Sequence, residues 1–169
     1  MSSSLERWNA ADESSALDAM MACCGARRWA TAMVKRRPIL DATELRAAAD
    51  QIWDAMQEPD WLEAFACHPR IGERKSSHLS SQSSTWSKQE QSSVTTANES
   101  MLAQLAEGNT RYEDKFGFTY IVCATGKSTE EMLSILNRRL AADRTLELRE
   151  AAEEQRQIMQ IRLRKWLEQ

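Results

Sequence analysis

The chain of 169 residues contains two histidines, and their sequence neighbours set them apart. His68 follows the short amphipathic run Trp61-Leu62-Glu63-Ala64-Phe65 and precedes Pro69. A proline pushes the residue before it out of helical geometry, so a helix is predicted to end near His68 with its imidazole rigidly aimed. The carbonyl end of a helix favours the protonated ring, and a fixed imidazole that changes charge near neutral pH suits proton transfer. The plainer reading is a histidine that merely caps its helix. His78 sits among serines, where solvent is its expected surrounding.

Glu90 has two readings as well. Ser87-Lys88-Gln89-Glu90 fits a capping box, which predicts a helix starting at about residue 88 with both side chains tying down its first turn. Such a start also offers unpaired backbone N–H groups to an anion or to the carbonyl of a ureido group. Local pattern favours the cap.

Cysteine chemistry has less support. Cys23, Cys24, Cys67 and Cys123 show no CxxC pair and no disulfide-framework spacing. A zinc site would have to gather Cys23, Cys67, His68 and Cys123 from distant segments, whereas structural zinc usually takes close pairs. Buried, reduced thiols are expected. Cys67 and His68, adjacent on a helix, would point away from each other. There is no glycine-rich phosphate loop, HExxH or GxSxG, so neither a metal nor an organic cofactor has a visible home.

The elements that must hold these residues are helical. Glycine and proline total 8 of 169 residues, well below the usual share of roughly 12%, and turn-rich all-β folds need both. Helical periodicity marks segments near 12–24 (stopping at Gly25), 26–36, 41–56, 60–68, 88–107, 111–115, 128–140 and 145–167. Asp41 with Glu44, Asp60 with Glu63 and Ser128 with Glu131 read as their capped starts. Gly108-Asn109 reads as a break. From Glu73 to Ser87 the apolar period is lost, and seven of the twelve residues from Ser76 to Ser87 are serine. A surface loop or a lid over a site fits that composition. Phe116 to Thr125 is the one run rich in β-branched and aromatic residues, and without a partner strand it is expected to be a buried extended segment. The expected fold is therefore all-α, a single-domain bundle over 1–169 of about seven to nine helices, with one short extended segment near 118–125.

Charge and hydropathy exclude several classes. Net charge is -3, which does not suggest nucleic-acid binding, and no stretch approaches the ~18 apolar residues of a membrane span. The first residues lack an apolar signal core and the last are no peroxisomal address, so the cytoplasm is the expected compartment.

Several separated blocks together resemble a known family. Cys67-His68-Pro69-Arg70-Ile71-Gly72-Glu73 is similar to the HPRIG signature of the 2-oxo-4-hydroxy-4-carboxy-5-ureidoimidazoline (OHCU) decarboxylases, which take the last step from urate to allantoin. Ser87-x-x-Glu90-Gln91 resembles the family's SxxEQ segment, and Lys115-Phe116-Gly117-Phe118 through Ile121-Val122-Cys123-Ala124-Thr125-Gly126-Lys127-Ser128 resembles its FGFxFIVCATGKS block. Glu147-Leu148, Ala151 to Gln155 and Ile161-Arg162-Leu163 resemble its C-terminal helix, and Arg28-Trp29-Ala30 and Asp60 to Phe65 fit upstream. The chain departs in its serine-rich linker and in Tyr120, where the family carries another aromatic.

The resemblance implies a small-molecule substrate, OHCU, decarboxylated without metal or cofactor to (S)-allantoin, with no nucleic acid and no membrane involved. It implies His68 as catalytic acid, aided by Glu90, with Pro69 lining the pocket. Ser87, Lys88, Gln89, Glu90 and Gln91, and Ile121, Val122, Cys123, Ala124 and Thr125, would bind substrate largely through backbone groups. Arg162 would supply an anion contact. A homodimer is the assembly the resemblance suggests. The competing readings are a helical interaction module without activity and a relative acting on another ureido acid. The first leaves the HPRIG and SxxEQ pairing unexplained.

Overall fold

The computed structural model describes residues 3–72, 81–92 and 99–169. Among them are nine helices and no strand: α1 (Ser4–Ala10), α2 (Glu13–Cys23), α3 (Arg27–Lys35), α4 (Ala42–Asp54), α5 (Glu58–Ala66), α6 (Ser81–Glu90), α7 (Glu99–Phe116), α8 (Thr129–Arg139) and α9 (Arg144–Leu167). This is the all-α class expected. None of these helices is long and apolar enough to cross a membrane. The chain divides into two compact units, one running to Ala64 and including Arg156–Gln169, the other Phe65–Gln155. The divisions fall inside α5 and α9.

In the first unit α1 to α4 pack in sequence order. Their buried residues, among them Met20, Trp29, Met33, Leu45 and Trp53, recur at helical spacing. Trp8 meets Trp166 of α9 edge-on, with ring centroids 6.0 Å apart. Trp29 donates its indole N–H to the Ala49 carbonyl at 3.1 Å. Asp41 caps α4 as expected, its carboxylate accepting from the Glu44 amide at 2.8 Å.

In the second unit α7 packs against α8, and an aromatic cluster of Phe65, Tyr112, Phe116, Phe118 and Tyr120 forms the core. Gly117 closes α7 with φ +81°, the left-handed turn that glycine takes without steric cost, and its amide bonds the Glu113 carbonyl at 2.8 Å. The chain then enters residues 118–124, buried from Tyr120 to Ala124 and extended without a sheet, as the sequence predicts. Ser128 caps α8 with Glu131, also as predicted.

Other boundaries differ. Helix α1 has no counterpart among the predicted segments, although Ser3 and Glu6 form a full capping box. Helix α2 ends at Cys24 in extended geometry, so Gly25 does not act as a left-handed cap. Asp60 lies in the first turn of α5 and reaches back to the Gln57 amide at 3.0 Å; it is not the cap itself. Helix α7 runs unbroken through Gly108-Asn109, because Gly108 marks close packing on Leu136 of α8. The largest difference is α6. Its buried positions are Ser83, Trp86, Ser87 and Glu90, spaced for one helical face but mostly polar, so no apolar period betrays them. Ser87 and Glu90 therefore close a helix, and the predicted start at residue 88 is overturned. Residues 73–80, with His78, and residues 93–98 lie outside the described residues; of the predicted loop or lid over 73–87, the stretch 81–87 is helical.

Candidate active site

His68 lies two residues beyond α5, and its amide bonds the Phe65 carbonyl at 3.1 Å, completing the turn that Pro69 prevents from continuing. The imidazole Nε2 is 2.7 Å from Oε1 of Gln155 on α9. From there to Gly72 the loop is fastened at nearly every step. Arg70 makes a two-pronged ion pair with Glu113 of α7, its Nε 2.8 Å from Oε1. Asn109, on the same helix and 1% exposed, donates its amide N–H to the Ile71 carbonyl at 3.1 Å. Gly72, with φ +90°, donates its amide to Oε1 of Gln91 at 3.0 Å. Loops are usually the mobile parts of a fold; here side chains from three elements remove that freedom around one histidine.

Gln91 brings the SxxEQ segment to this loop. Its amide bonds the Ser87 carbonyl at 3.1 Å, so it continues the last turn of α6. Ser87 and Glu90 are buried on the inner face, while Lys88 and Gln89 are exposed. Because Glu90 ends its helix, the groups left over at this point are carbonyls and not N–H donors. The predicted helix N-terminus for an anion is thus absent here, and any contact from Glu90 comes from its carboxylate, an acceptor.

The extended segment is held by side chains in place of a neighbouring strand. Arg139, fully buried, donates to the Ile121 carbonyl at 2.6 Å and pairs with the equally buried Glu147, to which Tyr112 also donates. The Cys123 amide donates to a carboxylate oxygen of Glu154 at 3.0 Å, and Lys127 Nζ donates to the Cys123 carbonyl at 2.7 Å. Tyr120 places its hydroxyl on the Met132 carbonyl at 3.0 Å, so the added oxygen is satisfied. Burial pushes the Cys123 thiol up; the Lys127 charge opposes that shift, and the charges of Glu154 and Glu90 add to it. Consecutive residues of α9, Glu154 and Gln155, thus reach the extended segment and the His68 loop respectively. Val122 and Ala124 are buried in that segment and Thr125 is exposed; Pro69 is partly exposed beside His68.

Arg162 belongs to the first unit, where it is 3% exposed and donates to the Ala22 carbonyl at 3.3 Å. Arg28, also there, pairs with Asp60 at 3.5 Å. Burial pushes the Cys23 thiol up as well, which disfavours a thiolate nucleophile there. A separate open groove of about 540 Å³ between α7 and α8, lined by Ser100, Gln104, Asn137 and neighbours, contains none of the residues above.

Sequence reading missed Gln155, Asn109, Glu113, Arg139 and Glu154 as parts of this arrangement. For Gln155 a signal existed, since it is a polar residue in the otherwise apolar stripe Leu148, Ala152, Ile158. Asn109 was hidden because Gly-Asn usually marks a turn.

The fastened loop, its histidine and the SxxEQ helix end lie within the stretch that a family model matches. The OHCU decarboxylase model matches residues 9–164. The chain belongs to the OHCU decarboxylase family. It is 37% identical over 149 residues to the uric acid degradation bifunctional protein TTL of Arabidopsis thaliana, covering 88% of this chain and 46% of that protein, so the chain spans about half the length of that relative. It is 27% identical to the 2-oxo-4-hydroxy-4-carboxy-5-ureidoimidazoline decarboxylase of Amia calva, covering 79% of this chain and 77% of that one. A crystal structure of OHCU decarboxylase in the presence of (S)-allantoin superimposes with a TM-score of 0.78 at 34% identity, covering 90% of this chain and 99% of that one. The HPRIG, SxxEQ and FGFxFIVCATGKS blocks of this OHCU decarboxylase family member all fall inside the matched range.

Proposed function

We propose that the protein decarboxylates OHCU to (S)-allantoin, with His68 as the proton-transfer group and Glu90 orienting the substrate. The observation that carries this reading is the clamped loop 68–72. Gln155, Glu113, Asn109 and Gln91 all hold it, and a catalyst whose main task is aiming one proton needs such rigidity.

The chemistry can run on the substrate's own electronics. Decarboxylation needs a sink for the electron pair of the breaking C–C bond, which pyridoxal phosphate or thiamine often provides. In OHCU the carbon bearing the carboxylate adjoins a ring C=N. As CO2 leaves, the pair forms a double bond to the ureido-bearing carbon, and the C=N pair moves to the ring nitrogen, which takes a proton. The enol that results still carries the substrate hydroxyl. Loss of the hydroxyl proton and delivery of one proton to the ureido-bearing carbon give the carbonyl and the stereocentre of allantoin. His68 takes the first proton and supplies the second from one side, which makes a single enantiomer.

Glu90 suits the ureido arm. Its carboxylate only accepts hydrogen bonds, and a ureido group presents adjacent N–H donors that two carboxylate oxygens can accept together. The buried segment Ile121–Ala124 forms another wall of the site in this reading, with Pro69 beside the imidazole. The cytoplasm is the compartment we propose, in keeping with the absence of a membrane-crossing helix among the described residues.

The test is direct. OHCU is generated in the cuvette from urate with urate oxidase and hydroxyisourate hydrolase, the protein is added, and circular dichroism follows allantoin. Rapid growth of one enantiomer is the expected result. Slow racemic product at the uncatalysed rate would overturn the assignment.

A further inference from the structure

Gln155 is fully buried, yet only one end of its side-chain amide is used. Oε1 lies 2.7 Å from His68 Nε2, whereas Nε2 of Gln155 has no hydrogen-bond partner among the described residues. A buried amide with an unmet N–H group is a burden on stability, and methionine or leucine would continue the apolar stripe of α9 without it. The one bond this side chain makes among the described residues is at its other end. Here that end meets the side chain to which proton transfer is assigned.

We propose that Gln155 is the positioning residue for His68. An amide oxygen can only accept, so it meets Nε2 when that nitrogen carries the proton, and the neutral ring is then a single tautomer with its lone pair on Nδ1. The contact also stops rotation about the bonds of the histidine side chain. Its geometry is dependable because Gln155 sits mid-helix on α9, one residue after Glu154, whose carboxylate takes the Cys123 amide at 3.0 Å. One turn of a long helix thereby sets the imidazole and the extended segment relative to each other. A carboxylate in the same place would do the same positioning while adding a negative charge; the amide positions without fixing the charge of the ring.

This inference rests on the proposed decarboxylase reading for its kinetic consequence, but its physical core can be read without turnover. With only two histidines in the chain, ring N–H correlations in an NMR spectrum of 15N-labelled protein are assignable, and His78→Asn removes the other set. The wild type should show a slowly exchanging proton on His68 Nε2. Gln155→Met should lose it, and Gln155→Glu, which keeps an oxygen at the same reach, should retain it. In the OHCU assay Gln155→Met should lower kcat about ten- to a hundredfold, change KM by less than about threefold and erode the enantiomeric excess of allantoin. A merely structural glutamine would lower the melting temperature without altering the product's handedness. Absence of the Nε2 proton from the wild type, its loss in Gln155→Glu, or its persistence in a folded Gln155→Met would overturn the proposal. If the wild type fails to turn over OHCU while the proton behaves as described, the decarboxylase reading falls and the Gln155–His68 contact stands.

Discussion

The side-chain oxygen of Gln91 accepts the backbone N–H of Gly72 at 3.0 Å, so the last residue of SxxEQ is bonded directly to the last residue of HPRIG. Two segments 19 positions apart in sequence are thereby locked together by one hydrogen bond. Gly72 accepts this arrangement at φ +90°, where a side chain would be strained.

Replacing Gln91 by leucine should therefore loosen the loop that carries His68. The expected cost in stability is about 1 kcal/mol, the usual net worth of one such bond. The expected loss in kcat/KM is larger in effect, about tenfold, because a supporting contact acts on the geometry of the reacting group. Urea unfolding and steady-state kinetics on the same preparation separate the two.

Gly108→Ala tests the reading of α7 as a continuous helix packed closely on α8. Alanine gains about 1 kcal/mol over glycine in a helix interior. A Cβ at this position would sit 2.5 Å from a methyl of Leu136, which is fully buried and has little room to yield. Overpacking costs about 1–3 kcal/mol, so the variant should be destabilised by about 1 kcal/mol in a urea melt. A stabilised variant would mean that the two helices stand further apart.

The charged pair under the extended segment gives a sharper stability prediction. Arg139 and Glu147 are both fully buried, and Oε2 of Glu147 has no hydrogen-bond partner among the described residues. Burial pushes the Tyr112 phenol up, so it stays a donor to Glu147. Arg139→Met leaves that carboxylate buried without its counter-ion and should cost about 3–5 kcal/mol. Adding Glu147→Leu should recover part of the loss, since the uncompensated charge is gone while the Tyr112 hydroxyl and the Ile121 carbonyl lose their partners. Activity should not return with stability, because the Ile121 carbonyl still lacks its donor.

Thiol chemistry offers an independent check on burial. Cys23 and Cys123 both have thiols pushed up by desolvation, which lowers their thiolate fraction at pH 8 below that of an exposed cysteine. Ellman's reagent should label both slowly in the native protein and rapidly after denaturation. Fast native labelling of Cys123 would mean that the extended segment is open to solvent.

Much of this arrangement was legible from residue types, and the exceptions have physical causes. His68 before Pro69 forecasts a helix end, and the structure has one. The run from Phe118 lacks a partner in sequence, and it is indeed extended and sheetless, its backbone satisfied by Arg139, Glu154 and Lys127. Helix α6 escaped because its inner face is built from Ser83, Ser87 and Glu90 around a single tryptophan, Trp86, which hides the helical period. The same misreading put Glu90 at the wrong end of a helix and credited it with backbone donors. Gly108-Asn109 misled in the opposite direction: residues that usually break helices serve here for close approach and for holding Ile71. Gln155 stood in plain view, but a polar residue within an apolar stripe acquires meaning only once its partner is known.

The most direct test of His68 is the enantiomeric composition of allantoin made from fresh OHCU by the wild type and by His68→Asn, run in parallel with melting curves. The assignment predicts rapid, single-handed product from the wild type. From a folded His68→Asn it predicts slow product approaching a racemate. Fast, single-handed allantoin from His68→Asn would contradict it, and the proton would have to come from another group.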